Sequence, residues 1–222
     1  SLPSSASFPA FSTPYFIEDT EELDAAKRDL ESSSPSGSSG VKAIFAYEVD
    51  GWGNQSSPLL DDANMPNLLW LSYLSLPDST LERLPAGIVE KTRQAVLSRA
   101  NENWFVANRN SSSQSTWLGG LGSHHVSSGL RPVWPGPECT DHCIWHLGLI
   151  MQGMTAAEGV GSSSFSSSKG EKENCMSQVL ATAWHGLLHE GFNVANTSLY
   201  NRDYFGWANA LFSEWVIADY LI

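Results

Sequence analysis

The sequence predicts an all-α fold. Segments with apolar side chains at helical spacing recur along the chain, whereas strand-like segments are few. Long polar loops rich in aromatic residues separate the helical segments, which is typical of helical hairpins whose loops meet at one end. With 222 residues, of which 41% are hydrophobic, the chain is long enough to bury a sizeable core.

The first forty residues differ in composition from the rest. Residues 1–14 are rich in Ser and Pro, residues 15–31 contain an acidic segment compatible with a helix, and residues 32–40 are almost entirely Ser, Gly and Pro. We therefore predict a low-complexity lead and linker over residues 1–40 and a folded domain over residues 41–222. The folded domain is expected to begin with a strand from Val41 to Glu48.

Helices are predicted where the apolar spacing is regular. They cover about Asn67 to Leu76, a segment around Ile88 to Leu97, Cys143 to Ala157, about Glu173 to Leu187, and Arg202 to Leu221. The glycine-rich segment 119–125 is predicted to be a binding loop, because glycine allows close backbone approach and positive φ angles. The segment 189–193 is also predicted to be a loop.

The charge of the chain narrows the classes of partner. Lys and Arg number 12 against 24 Asp and Glu, a formal net charge of -12, which argues against nucleic acid and anionic membrane surfaces as partners. No apolar run is long enough to span a membrane. Neutral polar ligands such as carbohydrates remain compatible, and the 9 Trp suit them because flat rings can lie against a sugar, although most Trp are core residues.

The cysteines and the glycosylation sequons carry little information by themselves. Cys139, Cys143 and Cys175 cannot all pair with one another, so no disulfide framework is indicated, and the pairing of any two is left open. Asn-x-Ser/Thr sequons matter only in a protein that enters the secretory pathway. They occur at Asn54, Asn110 and Asn196.

An acidic stretch organises the folded domain. It runs from Tyr47 to Asn54 and continues from Leu59 to Pro66. Carboxylates and amides at a helix start, next to aromatic side chains, are well suited to holding sugar hydroxyls. Helix capping explains the same residues equally well, since Asp and Asn are favoured caps and Pro suits a first turn. A third interpretation is a structural Ca²⁺ site; its ligands would be Glu48, Asp50, Asp61 and Asp62.

Metal and nucleophile motifs are weak. Cys139, His142, Cys143 and His146 have helical spacing but not the paired spacing of a zinc knuckle. His185 and His189 are four residues apart, but the glutamate follows the second histidine, so neither zincin order is met. No Gly-x-Ser-x-Gly precedes a helix. We therefore predict no metal and no cofactor.

Paired carboxylates are the remaining candidate chemistry. Glycoside hydrolysis needs one group that protonates the leaving oxygen and a second that attacks or activates water. Glu190 suits the second role, because it lies in a glycine-containing segment between His189 and Phe192. A solvated loop carboxylate is the alternative. If Glu190 has the catalytic role, the candidates for its carboxylate partner are Glu48, Asp50, Asp61 and Asp62.

Several motifs occur together in one order. They are Tyr-Glu-Val-Asp-Gly-x-Gly-Asn, Asp-Asp-Ala-Asn-x-Pro-x-Leu-Leu, Gly-Leu-Gly-Ser-x-His, Ile-Trp-x-x-x-Leu-x-x-Gln-Gly-x-Thr, His-Glu-x-Phe and Trp-Ala-Asn-x-Leu-Phe-x-Glu. From about Phe45 to Leu221 the chain resembles glycoside hydrolase family 125, the exo-acting α-1,6-mannosidases, and most of all its fungal members.

The resemblance implies a fold, a reaction and a set of site residues. The fold would be an (α/α)6 toroid, of which this chain is the C-terminal half. The reaction would be hydrolysis of terminal mannose with inversion, Glu190 acting as general base on a mannose-containing oligosaccharide or N-glycan. The fungal members imply a secretory or extracellular location. The implied substrate contacts are Glu48, Asp50, Asp61, Asp62, Asn64, His125, Trp145 and Asn193.

Two departures from the family pattern matter. The family's general acid is an aspartate in an Arg-Pro-Ser-Asp-Asp motif upstream of the Tyr-Glu-Val-Asp stretch, and this chain has no such motif. Val126 also stands where the family tends to have Thr. The sequence is therefore also compatible with a catalytically incomplete mannose-binding homologue, or with a truncated gene product.

Overall fold

The structure is a computed structural model, and its secondary structure consists of short helices and short strands. It describes residues 16–17, 44–47, 61–64, 67–74, 77–82, 84–105, 119–123, 139, 142–156 and 170–221. The helices are α1 (Trp70–Tyr73), α2 (Asp78–Leu81), α3 (Ile88–Val96), α4 (His146–Met154), α5 (Glu171–Thr182) and α6 (Gly206–Val216). The strands are β1 (Phe16–Ile17), β2 (Ile44–Phe45), β3 (Trp104–Phe105), β4 (Gly120–Ser123), β5 (Cys143–Trp145), β6 (Gly191–Asn193) and β7 (Tyr200–Asn201).

A five-stranded antiparallel sheet overturns the all-α prediction. Its strand order is β3-β4-β5-β6-β7, with Ile144 of β5 opposite Phe192 of β6. A separate antiparallel pair joins β1 to β2. The predicted (α/α)6 toroid is therefore wrong for this chain. The sheet escaped prediction because its strands have only two to four residues, too few to show the alternation that marks a longer strand.

The glycine-rich segment 119–125 was predicted to be a binding loop, yet its described part forms β4. All four residues of β4 are buried. A Cβ on Gly122 would overlap the backbone carbonyl of Cys143, and one on Gly120 would lie 2.9 Å from the Leu149 side chain. Glycine is therefore required here for close packing of β4 on β5 and α4.

Helix α4 forms the centre of the core and packs against α5 and α6. Gly153 makes close contact with the Trp215 ring, which a Cβ at that position would overlap. The buried side chains around this helix form one cluster. It includes Leu69, Val96, Leu121, Ile144, Leu147, Ile150, Val179, Phe192, Leu211 and Trp215.

A buried polar network ties α3 to α4 and α5. Arg93 pairs with Glu171 at 3.0 Å and donates to the Gln152 carbonyl and to Thr155 Oγ1, at 3.0 and 3.1 Å. Gln152 donates to Glu171 at 2.9 Å. The Gln-Gly-x-Thr residues therefore serve packing, because they satisfy a buried cation.

The predicted helices are present in part. Helix α1 is shorter than predicted. Residues 143–145, predicted as helix, form β5, so α4 begins at His146. Helix α5 ends at Thr182, beyond which Trp184 and Leu187 form an isolated bridge. Helix α6 ends at Val216 and continues as a wider π-type turn over Ile217–Leu221.

Two of the three cysteines form a disulfide, Cys139–Cys143, which the sequence had left open. Cys175 is a buried free thiol whose pKa is raised by burial. No helix in the described part of the chain is long and apolar enough to cross a bilayer.

Candidate active site

Glu190 lies immediately before β6, and its backbone is held from two sides. Its N–H donates to the Asn201 carbonyl of β7, and its carbonyl accepts the N–H of His146, the first residue of α4; both distances are 3.3 Å. The His146 N–H has no partner within its own helix, so Glu190 satisfies it. The Glu190 side chain is buried. Its position therefore depends on the sheet and on the start of the central helix.

His146 holds the residue before Glu190. Its Nδ1 lies 3.1 Å from the His189 backbone nitrogen and 3.0 Å from the His189 carbonyl oxygen, and its Nε2 lies 2.9 Å from Thr182 Oγ1. The Thr182 hydroxyl is also 2.8 Å from the Gln178 carbonyl, to which it can donate. With the proton on Nε2, the ring donates to Thr182 and Nδ1 accepts the His189 N–H; with the proton on Nδ1, the ring donates to the His189 carbonyl. Burial first, and the nearby His189 second, lower the pKa of His146 to about 3, which leaves the ring neutral.

His189 is also buried and neutral. Its Nδ1 donates to the Arg202 carbonyl at 2.7 Å, and its ring stacks on Tyr200 with centroids 3.7 Å apart. Burial lowers the pKa of His189. With the proton on Nδ1, Nε2 is an acceptor, and it has no hydrogen-bond partner among the residues that the structure describes.

Arg202 supplies the positive charge next to Glu190. Its Nε lies 3.2 Å from Glu190 Oε2, but the two atoms do not align as a hydrogen bond. Arg202 has a φ of +57°, an uncommon conformation for a residue other than glycine. Arg202 Nε, Glu190 Oε2 and His189 Nε2 are thus three buried polar atoms that lack a hydrogen-bond partner within the described ranges. Such a concentration is typical of a functional site.

Asn209 of α6 binds Leu188, the residue before His189. Its Oδ1 accepts the Leu188 N–H at 3.1 Å, and its Nδ2 donates to the Leu188 carbonyl at 2.9 Å. Phe205 N–H also donates to the Leu188 carbonyl at 2.9 Å. Residues 188, 189 and 190 are therefore each held by backbone or side-chain groups from outside the segment.

Asp61 shapes the acidic segment from within. Its Oδ1 accepts the Ala63 N–H at 2.9 Å and its Oδ2 accepts the Leu68 N–H at 2.8 Å, and the residue is fully buried. Burial raises the pKa of Asp61 to about 6, against the lowering effect of the two N–H donors. Asp61 thus organises the turn at Ala63, whose φ is +63°.

Asp62 and Asn64 lie nearer the surface. Asp62 Oδ1 accepts the Tyr47 hydroxyl at 2.8 Å and the Asn64 N–H at 3.1 Å. Asn64 is exposed. The side-chain acceptor at the start of α1 comes from Asn67, whose Oδ1 accepts the Leu69 N–H at 3.0 Å.

The segment that contains Asp61 and Asp62 contacts the first turn of α4, which Glu190 also contacts. A Cβ on Gly148 would lie 3.0 Å from the Ala63 side chain, and His146, two residues earlier, binds Glu190. The structure therefore brings Asp61 and Asp62 to the end of α4 at which Glu190 lies.

Aromatic side chains continue from Glu190 toward the surface. The Arg202 guanidinium lies over the Phe205 ring, 5.4 Å from its centroid. Phe205 contacts the half-buried Trp145 at 6.5 Å and Trp207 at 5.6 Å between ring centroids. Trp207 is 60% exposed. Flat rings at a surface beside a carboxylate suit a sugar ligand.

The other predicted contacts fall in different places. Asn193 Oδ1 accepts the N–H groups of Ala195 and Asn196, at 2.9 and 3.0 Å, and so forms a turn. Glu48, Asp50 and His125 lie outside the described residues. In the part of the chain that the structure covers, no three His, Cys, Asp or Glu side chains cluster as metal ligands.

A comparison with protein families decides the identity of the chain. The family model for metal-independent alpha-mannosidases (GH125) matches residues 27–217. The chain belongs to glycoside hydrolase family 125. The resemblance drawn from the sequence motifs is thereby confirmed.

Two relatives of this family 125 chain are informative. The meiotically up-regulated gene 157 protein of Schizosaccharomyces pombe is 32% identical over 176 residues, which are 78% of this chain and 27% of that protein. A metal-independent alpha mannosidase of Streptococcus pneumoniae, solved in a non-productive complex with alpha-1,6-mannobiose, is 28% identical with a TM-score of 0.55. That match covers 88% of this chain and 37% of the other. The chain thus spans less than two-fifths of either relative.

Three residues that hold the candidate site were not predicted from the sequence. Asn209 and His146 fall within or beside quoted motifs, but only their folded partners reveal what they hold. Arg202 carries no motif signal at all. A polar side chain on an otherwise apolar helix face is the one sequence signal that could have marked His146 and Asn209.

Proposed function

We propose that this chain forms part of an exo-acting α-mannosidase that hydrolyses terminal α-1,6-linked mannose with inversion, with Glu190 as general base. The observation that carries the proposal is the buried Glu190 carboxylate, whose Oε2 lies 3.2 Å from Arg202 Nε without an aligned hydrogen bond. A buried carboxylate beside a cation is a candidate general base. The family membership supplies the reaction class.

In the proposed step, Glu190 removes a proton from a water molecule as that water forms a bond to the anomeric carbon. The glycosidic bond breaks on the opposite face, and an acid protonates the leaving oxygen. Inverting enzymes leave roughly 6.5–9.5 Å between the two carboxyl groups for this water. Arg202 compensates the charge of Glu190 before the proton moves. The acid is not assigned to any residue of this chain.

The proposed substrate is a mannose-containing oligosaccharide or an N-glycan. The half-buried Trp145 and the exposed Trp207 offer ring faces near Glu190, and Asp62 offers a half-buried carboxylate at the same end of α4. Carboxylates accept sugar hydroxyls, while rings cover the apolar face of the pyranose. The other predicted contacts remain predictions: Glu48, Asp50, Asp61, Asn64, His125 and Asn193.

Glu190→Gln tests the proposal, because the amide keeps the shape of the side chain and removes the base. We expect turnover of α-1,6-mannobiose by the protein carrying this chain to fall at least about 100-fold, while calorimetric binding changes little. Glu171→Gln is the matched control, since Glu171 is also a largely buried, arginine-paired glutamate and lies on α5. Retained turnover by Glu190→Gln would refute the assignment.

Mannoside binding without hydrolysis is the second candidate, since the exposed Trp207 ring and the half-buried Asp62 carboxylate suit a sugar ligand whether or not it is hydrolysed. Calorimetry with mannobiose, run beside a turnover assay of the same preparation, separates the two. Heat of binding without product would favour this second function.

We also propose a secretory or extracellular location. The disulfide Cys139–Cys143 supports it, because such bonds persist in oxidising compartments. Asn196, one of the sequon residues, is exposed and therefore open to glycosylation.

A further inference from the structure

We propose that His146 is a positioning residue for Glu190: its Nδ1 holds the His189 N–H and thereby fixes the backbone from which the base projects. This inference rests on the proposed function of Glu190. His146 lies on α4 and is separated from His189 by 43 residues, so the contact is tertiary rather than local.

His146 binds two consecutive residues, His189 and Glu190. The His146 backbone N–H donates to the Glu190 carbonyl at 3.3 Å, and its side chain accepts the His189 N–H at 3.1 Å. A substitution at position 146 removes only the second contact, because any residue other than proline keeps the first. The effect of the side chain can therefore be measured separately.

The proposal assigns the ring proton of His146 to Nε2. Thr182 Oγ1 can then accept from Nε2 while it donates to the Gln178 carbonyl. Nδ1, which lies 3.1 Å from the His189 backbone nitrogen and 3.0 Å from the His189 carbonyl oxygen, is left to accept the His189 N–H. The lowered pKa of His146 keeps the ring neutral, so that one ring nitrogen can accept.

His146 does not reach substrate. It is completely buried, and each of its ring nitrogens is within hydrogen-bond distance of a protein group. Its influence on catalysis must therefore pass through the placement of Glu190. A displacement of a catalytic group by about 1 Å can cost roughly 100-fold in rate.

Two variants separate positioning from general stability. In His146→Asn the amide oxygen takes the place of Nδ1 and keeps an acceptor for the His189 N–H. In His146→Gln the longer side chain reaches toward Thr182 and leaves that N–H without its acceptor. Thr92→Val is the matched control, because it removes a buried acceptor from another backbone N–H, that of Phe45 at 2.9 Å, away from Glu190.

We expect kcat for mannobiose to fall about 10- to 100-fold in His146→Gln, with KM within about threefold of the wild-type value. His146→Asn should recover most of this loss, and Thr92→Val should leave kcat unchanged. Equal loss in the Asn and Gln variants, or an equal loss in Thr92→Val, would overturn the positioning role.

Nitrogen NMR of the wild-type imidazole gives a readout that does not depend on how the variants fold. The inference requires a protonated Nε2 and an unprotonated Nδ1 at neutral pH, and the opposite tautomer would overturn it. Wild-type protein that fails to hydrolyse mannobiose would instead refute the proposed function, and the positioning role with it. Failure of the inference alone appears only in an active wild-type protein.

Discussion

Replacement of Asp61 by Asn should change how the stability of the protein depends on pH. Asp61 is fully buried, and both of its carboxylate oxygens accept backbone N–H groups, from Ala63 and Leu68. Burial nevertheless raises the pKa of this carboxyl from 3.8 to about 6. The site therefore favours the neutral acid, although two donors favour the anion.

The sign and size of the effect follow from proton linkage. Between pH 3.8 and about 6 the folded state keeps the Asp61 proton that the unfolded chain has lost, so the free energy of unfolding falls as pH rises through this window. The gap between these two pKa values, at about 1.4 kcal/mol per pH unit, corresponds to about 3 kcal/mol. The asparagine in Asp61→Asn cannot titrate, so the stability of this variant lacks this pH-dependent contribution.

Urea denaturation of both proteins from pH 3.5 to pH 7.5 measures the effect. We expect the stability of the wild-type protein relative to Asp61→Asn to fall by about 3 kcal/mol across the range, with most of the change between pH 4 and about 6. Taking the difference cancels the titration of all other groups. A flat difference would show that the two N–H donors balance burial, and a difference that rises with pH would show that they outweigh it.

Two further predictions test the packing and the proposed location. Gly122→Ala should lower the free energy of unfolding by about 1–3 kcal/mol or more, because its Cβ would overlap the Cys143 carbonyl, whereas Gly206→Ala, with 3.7 Å of clearance, should be nearly neutral; equal midpoints in urea would contradict the packing argument. In a secretory protein the exposed Asn196 should carry an N-glycan, seen as a mass shift that Asn196→Gln abolishes; unmodified protein from a secreting cell would count against the proposed location.

The helices could be predicted where their own sequence decides them. The segment around Ile88 to Leu97 matches α3 almost to its ends, because its apolar spacing describes a single buried face. Residues 143–145 look equally apolar and helical, yet they become β5 because β4 and β6 flank them. Strands of three residues owe their existence to neighbours elsewhere in the chain, which a local pattern cannot show.

The candidate site likewise contains residues that the sequence could identify and residues that it could not. Glu190 could be found from its motif and from the chemistry of paired carboxylates. The network that holds Glu190 could not, since His146, Thr182 and Asn209 act across long sequence separations. Asp61 remains a predicted sugar contact, and only the structure shows that both of its oxygens accept backbone N–H groups.

The segment that contains Asp61 and the segment that contains Glu190 both contact the first turn of α4, and this arrangement has a mechanical consequence. Ala63 rests on Gly148 and Glu190 on His146, so a rigid shift of α4 carries the two segments together and preserves their separation. The far end of the same helix is wedged against Trp215 at Gly153. A methyl group added at Gly153 would overlap the Trp215 ring. A resulting shift of α4 as a whole would move the segments of Asp61 and Glu190 together, although the substitution is remote from both.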